Sequence, residues 1–366
     1  MSTNLPDVVR QTREQLLGLL RAVDPDAATW VADGHDHRPD RPTVVVVGET
    51  KRGKSSLVNA LLAEPGRSPV DTDVATATYL VFGHAERWSA QACYPGQLAP
   101  VAFDSAELVH WVSARHELPA GQLPPRYVRV DGPNPLLSRL TLVDTPGVGG
   151  LDSMHGELAK EAAAGATALL FTVDAAAPLS AGELAFLAEV GDRVETVVFA
   201  LTKTDAFRGW RQVLDANRQL LAEHAPRFAR ATFHPCSPRL FEMAGSAANP
   251  DAAAMLRERS GIGALQSAVQ ELVVGRSAML AEANTLRALD TALASTAATL
   301  AGQSRALAGG ADEATALRER RDQLAAARKS AARGWQVRLR GEIQRARVEV
   351  GHEVGRQMRD VQSWFR

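Results

Sequence analysis

The spacing of apolar positions changes twice along the chain. Over residues 5–28, Val9, Leu16, Leu20 and Val23 recur at sevens, fours and threes between Arg10, Arg13, Glu14 and Arg21. That spacing predicts one amphipathic helix. The polar stretch ADGHDHRPDRP (32–42) then reads as a linker. Its His35 and His37 read as solvated rather than metal-ligating, because no further Cys/His cluster stands nearby in sequence. From Thr43 to about Arg276 the pattern becomes short apolar runs alternating with helical stretches. The runs are VVVV (44–47), ATYLVF (77–82), RLTLVD (139–144), ALLFTVD (168–174), VETVVFALT (194–202) and ATFHPC (231–236). The helical stretches include 54–63, 181–190 and 208–224. Continuous β-branched runs between helices predict an α/β fold with a mostly parallel sheet and helices on both faces. The Pro-rich segment 84–138 departs from this rhythm. Its AQACY and YVRVDG read as strands around a helix near 104–116.

From about residue 277 strand signals vanish. Leu286, Leu289, Leu293, Leu300 and Leu307 repeat at three, four and seven, and Gly309–Gly310 break the helix. A second helix is expected from about Asp312, with Ile343, Val350, Val354, Met358 and Val361 forming a seam of the kind that packs helix on helix. The ending SWFR carries no stop signal, so the natural protein is expected to continue.

Composition narrows the classes. Of 366 residues, 45% are apolar and 23% charged, which excludes wholesale disorder. The net charge is −1, so attraction to bulk nucleic-acid phosphate is not expected. Residues 311–366 carry 13 Lys+Arg against 8 Asp+Glu, a local +5 that leaves −6 for the rest. Cys93 and Cys236 cannot build a disulfide framework and read as core residues in a reducing compartment. No apolar run reaches the roughly 18 residues of a spanning helix. A cytoplasmic location is expected.

Three segments carry chemistry. Gly48-Glu49-Thr50-Lys51-Arg52-Gly53-Lys54-Ser55, with Ser56 after it, fits G-x-x-x-x-G-K-[ST] between a strand and a helix. Glycines let the backbone wrap a phosphate, and loop N–H groups with a helix N-terminus supply positive potential. Lys54 would reach the β- and γ-phosphates and Ser55 would ligate Mg²⁺. Asp144-Thr-Pro-Gly147 ends the run RLTLV. Asp144 would hold Mg²⁺ through water, and the Gly147 N–H would meet a γ-phosphate. Thr202-Lys203-Thr204-Asp205 ends VVFAL. The Asp205 carboxylate would accept the N1–H and 2-amino hydrogens of guanine, a donor pair that adenine lacks, while Lys203 would lie along the base. Each segment ends a strand at its carboxyl end, where open α/β sheets bind ligands.

The combination resembles the P-loop GTPases and, within them, the dynamin superfamily, especially bacterial dynamin-like proteins. The carrying residues are GETKRGKSSLVNALL, SPVDTDVATATYLVF, YVRVDGPNPLLSRLTLVDTPGVGG and LTKTD. The resemblance implies hydrolysis of GTP to GDP and phosphate with Mg²⁺. It implies a neck helix and linker over 1–40, a GTPase domain over 41–275, and a truncated helical neck and start of stalk over 276–366. It also implies a switch threonine on Mg²⁺, for which Thr76 is favoured over Thr78, since Thr78 reads as the start of the next strand. Ser237 sits where the family has its last base-contacting loop; a turn serine is an equal reading. Val148 stands where Ras-like proteins carry a water-orienting Gln, a lack that dynamin-like proteins share. Many relatives place Asn or Ser at the position of Lys51 to bind a monovalent cation. Here either the Lys51 ammonium replaces that ion, or Lys51 is solvated and Arg52 or nothing supplies the charge. The resemblance further implies a homodimer through the GTPase domain and membrane remodelling, with peripheral membrane association in a full-length protein. Two rival readings are an RNA- or ribosome-associated GTPase, supported only by the +5 tail, and a non-hydrolysing GTP-dependent scaffold, which the intact Lys54, Ser55 and Asp144 oppose.

Overall fold

The structure is a computed structural model. It describes residues 5–36, 41–70, 78–95, 98–112, 118, 122–146, 159, 162–163, 165–191, 194–308 and 321. The expected break at Gly309–Gly310 and the helix and seam after it lie outside these residues, Arg321 apart. The chain divides into two compact units, Met1–Ala294 and Ser295–Arg366, and the sheet lies in the first.

The amino-terminal segment forms two helices where one was expected, α1 (Leu5–Val23) and α2 (Pro25–Asp36). Pro25 lacks an N–H and is suited to a first helical turn, and the Asp24 carboxylate accepts from the Ala27 N–H at 3.0 Å, as an N-cap does. The second helix runs through ADGHD, so the stretch from Ala32 to Asp36, His35 included, is helical rather than linker.

Nine strands make one sheet: β1 (Thr43–Val47), β2 (Tyr79–His84), β3 (Ser89–Cys93), β4 (Val101–Phe103), β5 (Tyr127–Gly132), β6 (Thr141–Asp144), β7 (Ala168–Asp174), β8 (Thr196–Thr202) and β9 (Phe233–Pro235), in the order β4-β3-β5-β2-β6-β1-β7-β8-β9. The ladders β6–β1–β7–β8–β9 and β2–β5 are parallel. Those joining β2 to β6, β3 to β5 and β3 to β4 are antiparallel. The mostly parallel sheet is therefore borne out, and 84–138 supplies its antiparallel wing. There AQACY and YVRVDG become β3 and β5. The expected helix is a 3₁₀ turn (Ser105–Glu107) leading into the short α4 (Leu108–Val112) after α3 (Lys54–Leu62). The three-residue β4 carried no readable period.

The run VVVV is continuous because both its faces are covered. Val44 and Val46 pack with Leu57 and Leu61 of α3. Val45 and Val47 pack with Phe186 and Leu187 of α5 (Ala181–Gly191) and with Leu214 and Leu221 of α6 (Trp210–His224). After β9 come α7 (Pro238–Gly245), α8 (Pro250–Ser260) and α9 (Ile262–Val269). Ile262 and Leu265 of α9 join Val44 and Val46 in their core. One π-helical turn (Gln270–Val274) leads on to α10 (Ser277–Ala308). Cys93 and Cys236 are free and buried, as expected.

The start of α10 lies on the sheet unit and on α1 and α2. Leu289 packs with Leu20, Ala28 and Val31 in a small core of its own. The Arg13 guanidinium donates to both carboxylate oxygens of Glu282 at 2.7 Å. Asn284 donates to the carbonyls of Ala166 (3.1 Å) and Thr167 (3.2 Å) and accepts from the Glu195 N–H (2.8 Å). It thus satisfies backbone groups where β7 and β8 begin. Among the described residues no helix is long and apolar enough to cross a membrane.

Candidate nucleotide-binding site

The glycine loop leaves β1 at Val47 and enters α3 at Lys54. Gly48 has φ 146°, and a Cβ there would lie 2.2 Å from the Thr172 carbonyl oxygen of β7, so only glycine lets the loop cross β7 this closely. Gly53 has φ 92° and opens α3. Lys54 is 7% exposed, and its ammonium donates to the carbonyls of Gly48 (3.0 Å) and Glu49 (2.8 Å). Burial lowers its pKa to about 8, against the pull of Asp144, Glu183 and Glu49. Ser55 and Ser56 are half-buried at the start of α3, and Thr50 is exposed. Lys51 is exposed and left-handed at φ 66°, a costly conformation for a residue with a Cβ.

Arg52 does the opposite of Lys51: it turns inward and is 8% exposed. Its guanidinium donates to Asp174 Oδ1 (2.8 Å), Glu183 Oε2 (2.9 Å) and Glu49 Oε2 (3.4 Å), and to the carbonyls of Ala177 and Pro178. Burial opposes its charge, but the carboxylates of Glu183 and Asp174 outweigh that and raise its pKa. Glu183 belongs to a capping box at the start of α5. Its carboxylate accepts from the Ser180 N–H (2.9 Å), and its own N–H donates to Ser180 Oγ (3.2 Å). Burial raises the Glu183 pKa despite Ser180 and Arg52. The Ser180 hydroxyl also donates to Glu49 Oε1. Sequence reasoning missed Asp174, Ser180 and Glu183. The legible signals were an Asp closing the apolar run ALLFTVD and the S-x-x-E spacing of 180–183.

Asp144 ends β6 with no exposed surface. Its Oδ2 accepts from the Ser68 hydroxyl at 2.5 Å. Asn59 of α3 holds Ser68 by both backbone groups, at 2.7 Å each. Among the described residues Asp144 Oδ1 makes no hydrogen bond. Burial raises the Asp144 pKa, with the Ser68 and Ser55 hydroxyls and Lys54 pulling it back. A buried carboxylate oxygen without a partner, near a serine hydroxyl, fits a hard, oxygen-seeking dication such as Mg²⁺. Thr78 stands just before β2, buried, with its hydroxyl donating to the Arg126 carbonyl (2.6 Å). The strand it was expected to start begins one residue later, at Tyr79. Thr76, Gly147 and Val148 lie outside the described residues.

Thr202 ends β8 and is buried. Its hydroxyl donates to the Arg52 carbonyl (2.6 Å) and the Val173 carbonyl (3.2 Å), so the side chain tethers the glycine loop. Lys203, left-handed at φ 59°, donates from Nζ to the Lys51 carbonyl and to Asp174 Oδ2, both at 2.6 Å. Burial works against the Asp174 charge, yet the hydrogen bonds and charges of Lys203 and Arg52 hold its pKa below the ordinary carboxylate range. The Asp205 side chain is exposed. Thr204 Oγ1 donates to the Cys236 carbonyl (3.1 Å), which brings the next loop alongside. In that loop Ser237 is fully buried and caps α7, accepting from the Leu240 N–H at 3.1 Å.

Residues 44–204 match the sequence model of the dynamin family. The isoniazid-induced protein IniA of Mycobacterium tuberculosis is 32% identical over 179 residues, covering 48% of this chain and 28% of that protein. A probable transmembrane GTPase, FZO-like and chloroplastic, of Arabidopsis thaliana is 30% identical over 184 residues, covering 49% and 17%. The chain thus spans under a third of the length of either relative. A chain of the solved structure "An oligomerised bacterial dynamin pair provides a mechanism for the long-range sensing and tethering of membranes" aligns with a TM-score of 0.51 at 15% identity, over 94% of this chain and 65% of that one. This likeness is one of fold.

Proposed function

We infer that this chain, a member of the dynamin superfamily, binds GTP with Mg²⁺ and hydrolyses it to GDP and phosphate. One observation carries the reading: the loop after β1 leads to a buried lysine, the end of β6 bears a buried carboxylate with one oxygen unpartnered among the described residues, and the end of β8 bears a Lys203–Asp205 turn bonded to that loop. The proposed roles follow from chemistry. Phosphate oxygens would replace the Gly48 and Glu49 carbonyls on the Lys54 ammonium. Loop N–H groups from Glu49 to Ser56 would surround the phosphates. The Ser55 hydroxyl and Asp144 would hold Mg²⁺, which would neutralise phosphate charge there. Thr76 and Gly147 are proposed to order the attacking water and contact the γ-phosphate, and Asp205 to bind guanine.

Calorimetry in Mg²⁺ tests the reading. GTP is expected to bind well ahead of ATP, and Asp205→Ala is expected to abolish the preference; equal affinities, or a preference untouched by Asp205→Ala, would sink it. A homodimer across the nucleotide face and action at a membrane surface are proposed with it, supported by the fold shared with the oligomerised, membrane-tethering bacterial dynamin pair. If the dimer completes the site, hydrolysis per molecule rises with protein concentration; a flat dependence removes the dimer from the proposal. The domain limits 1–40, 41–275 and 276–366 are proposed on the same footing.

A further inference from the structure

We propose that Asp174 couples recognition of the base to binding of the phosphates, with Arg52 as the positioning residue that carries the coupling; the proposal rests on the GTP reading above. Asp174 is the last residue of β7 and lies in register with Thr202, the last residue of β8. Its carboxylate is divided. Oδ1 accepts from Arg52 Nη1 (2.8 Å) and the Ala176 N–H (3.2 Å), while Oδ2 accepts from Lys203 Nζ (2.6 Å). One carboxylate therefore binds a cation of the phosphate loop and a cation of the base loop. Asp174 is 5% exposed and Arg52 8%, so salt and water screen their pair weakly.

Two further bonds close the circuit. Lys203 Nζ reaches the Lys51 carbonyl (2.6 Å), and the Thr202 hydroxyl reaches the Arg52 carbonyl (2.6 Å). Arg52 is gripped at its side chain by the end of β7 and at its backbone by the end of β8. Its guanidinium is committed to carboxylates behind the loop, so it acts on phosphate only through the loop's position. The second carboxylate, Glu183, fixes the other arm of the guanidinium against the α5 capping box. A shift of the base loop must then either break a buried ion pair or move the phosphate loop with it. Breaking such a pair by removing one partner is strongly unfavourable. Base and phosphates are read at one fixed separation.

The test measures affinities for GTP, ATP and inorganic tripolyphosphate, all with Mg²⁺, in the full chain and in Asp174→Asn. Asparagine keeps the shape and removes the charge that pairs Lys203 with Arg52. The GTP-over-ATP preference is expected to fall about tenfold or more, the size of a coupling within one ion-pair network, while tripolyphosphate affinity stays within about threefold. A preference kept within threefold, or a tripolyphosphate loss equal to the GTP loss, overturns the coupling and leaves the GTP reading standing. A wild-type chain with no preference overturns the GTP reading and the coupling with it. Where Asp174→Asn gives no folded protein, Arg52→Lys takes its place, since one ammonium cannot span Asp174 and Glu183, and the same outcomes decide.

Discussion

Lys54 is the residue most affected by its surroundings. Its ordinary pKa is 10.5 and its folded value about 8, so between these the unfolded chain binds more protons than the folded one. Stability of the nucleotide-free protein therefore rises as pH climbs from about 8 towards 10.5. At neutral pH the buried ammonium costs up to about 3 kcal/mol. Lys54→Met is expected to melt higher than wild type without nucleotide and to lose GTP binding, a pairing that calorimetry and thermal unfolding would check together. Wild-type GTP affinity is expected to fall as pH rises through about 8, because the phosphates need the charged form; a flat profile from pH 7 to 9.5 would show that Lys54 does not face them. The lysine was legible from its motif. The company of the nearby Arg52 was not, since Asp174 and Glu183 lie 122 and 131 positions from it in the chain.

At the scale of elements, the glycine loop is shaped by the strand beside it. Gly48 passes the Thr172 carbonyl so closely that a methyl group would overlap it. Gly48→Ala must displace β7 or the loop, in a backbone region alanine rarely adopts. The expected outcome is a loss of at least about 2 kcal/mol in stability together with weakened GTP binding. A fully stable variant with wild-type affinity would mean that the loop does not sit on β7 as described. Element ends were legible where a residue type imposes them. The glycine loop that separates β1 from α3 is the case. The split of α1 from α2 was missed because the apolar period runs on past Pro25 while the backbone cannot.

Within the unit that contains the sheet, α1, α2 and the start of α10 share the small core around Leu289. Because so few residues form it, one truncation should matter. Leu289→Ala is expected to cost about 3 kcal/mol in that core and to raise hydrogen exchange in α1 and α2 while β1 and β7 stay protected. Uniform loss of protection would mean that helices and sheet unfold as one body. The leucine spacing of 286–293 announced a packed face. The polar contacts of the same helix, Asn284 on the Ala166 and Thr167 carbonyls and Arg287 with Glu195, had no spacing to announce them.

The sequence alone determined the local terms: the sheet's class, because buried strands need apolar residues on both faces; the glycine loop, because close backbone approach excludes side chains; and the placing of Lys54, Asp144 and Asp205 in segments that follow β1, end β6 and follow β8. Tertiary structure decided which charges meet. Only folding brings the ends of β7 and β8 and the start of α5 against Arg52, buries the carboxylate of Asp144 beside the Ser68 hydroxyl, and turns Thr202 and Ser237 inward as a tether and a cap. Ion pairs carry no periodicity along a chain, and their partners are set by which strands become neighbours, so the pattern of residues could not disclose them.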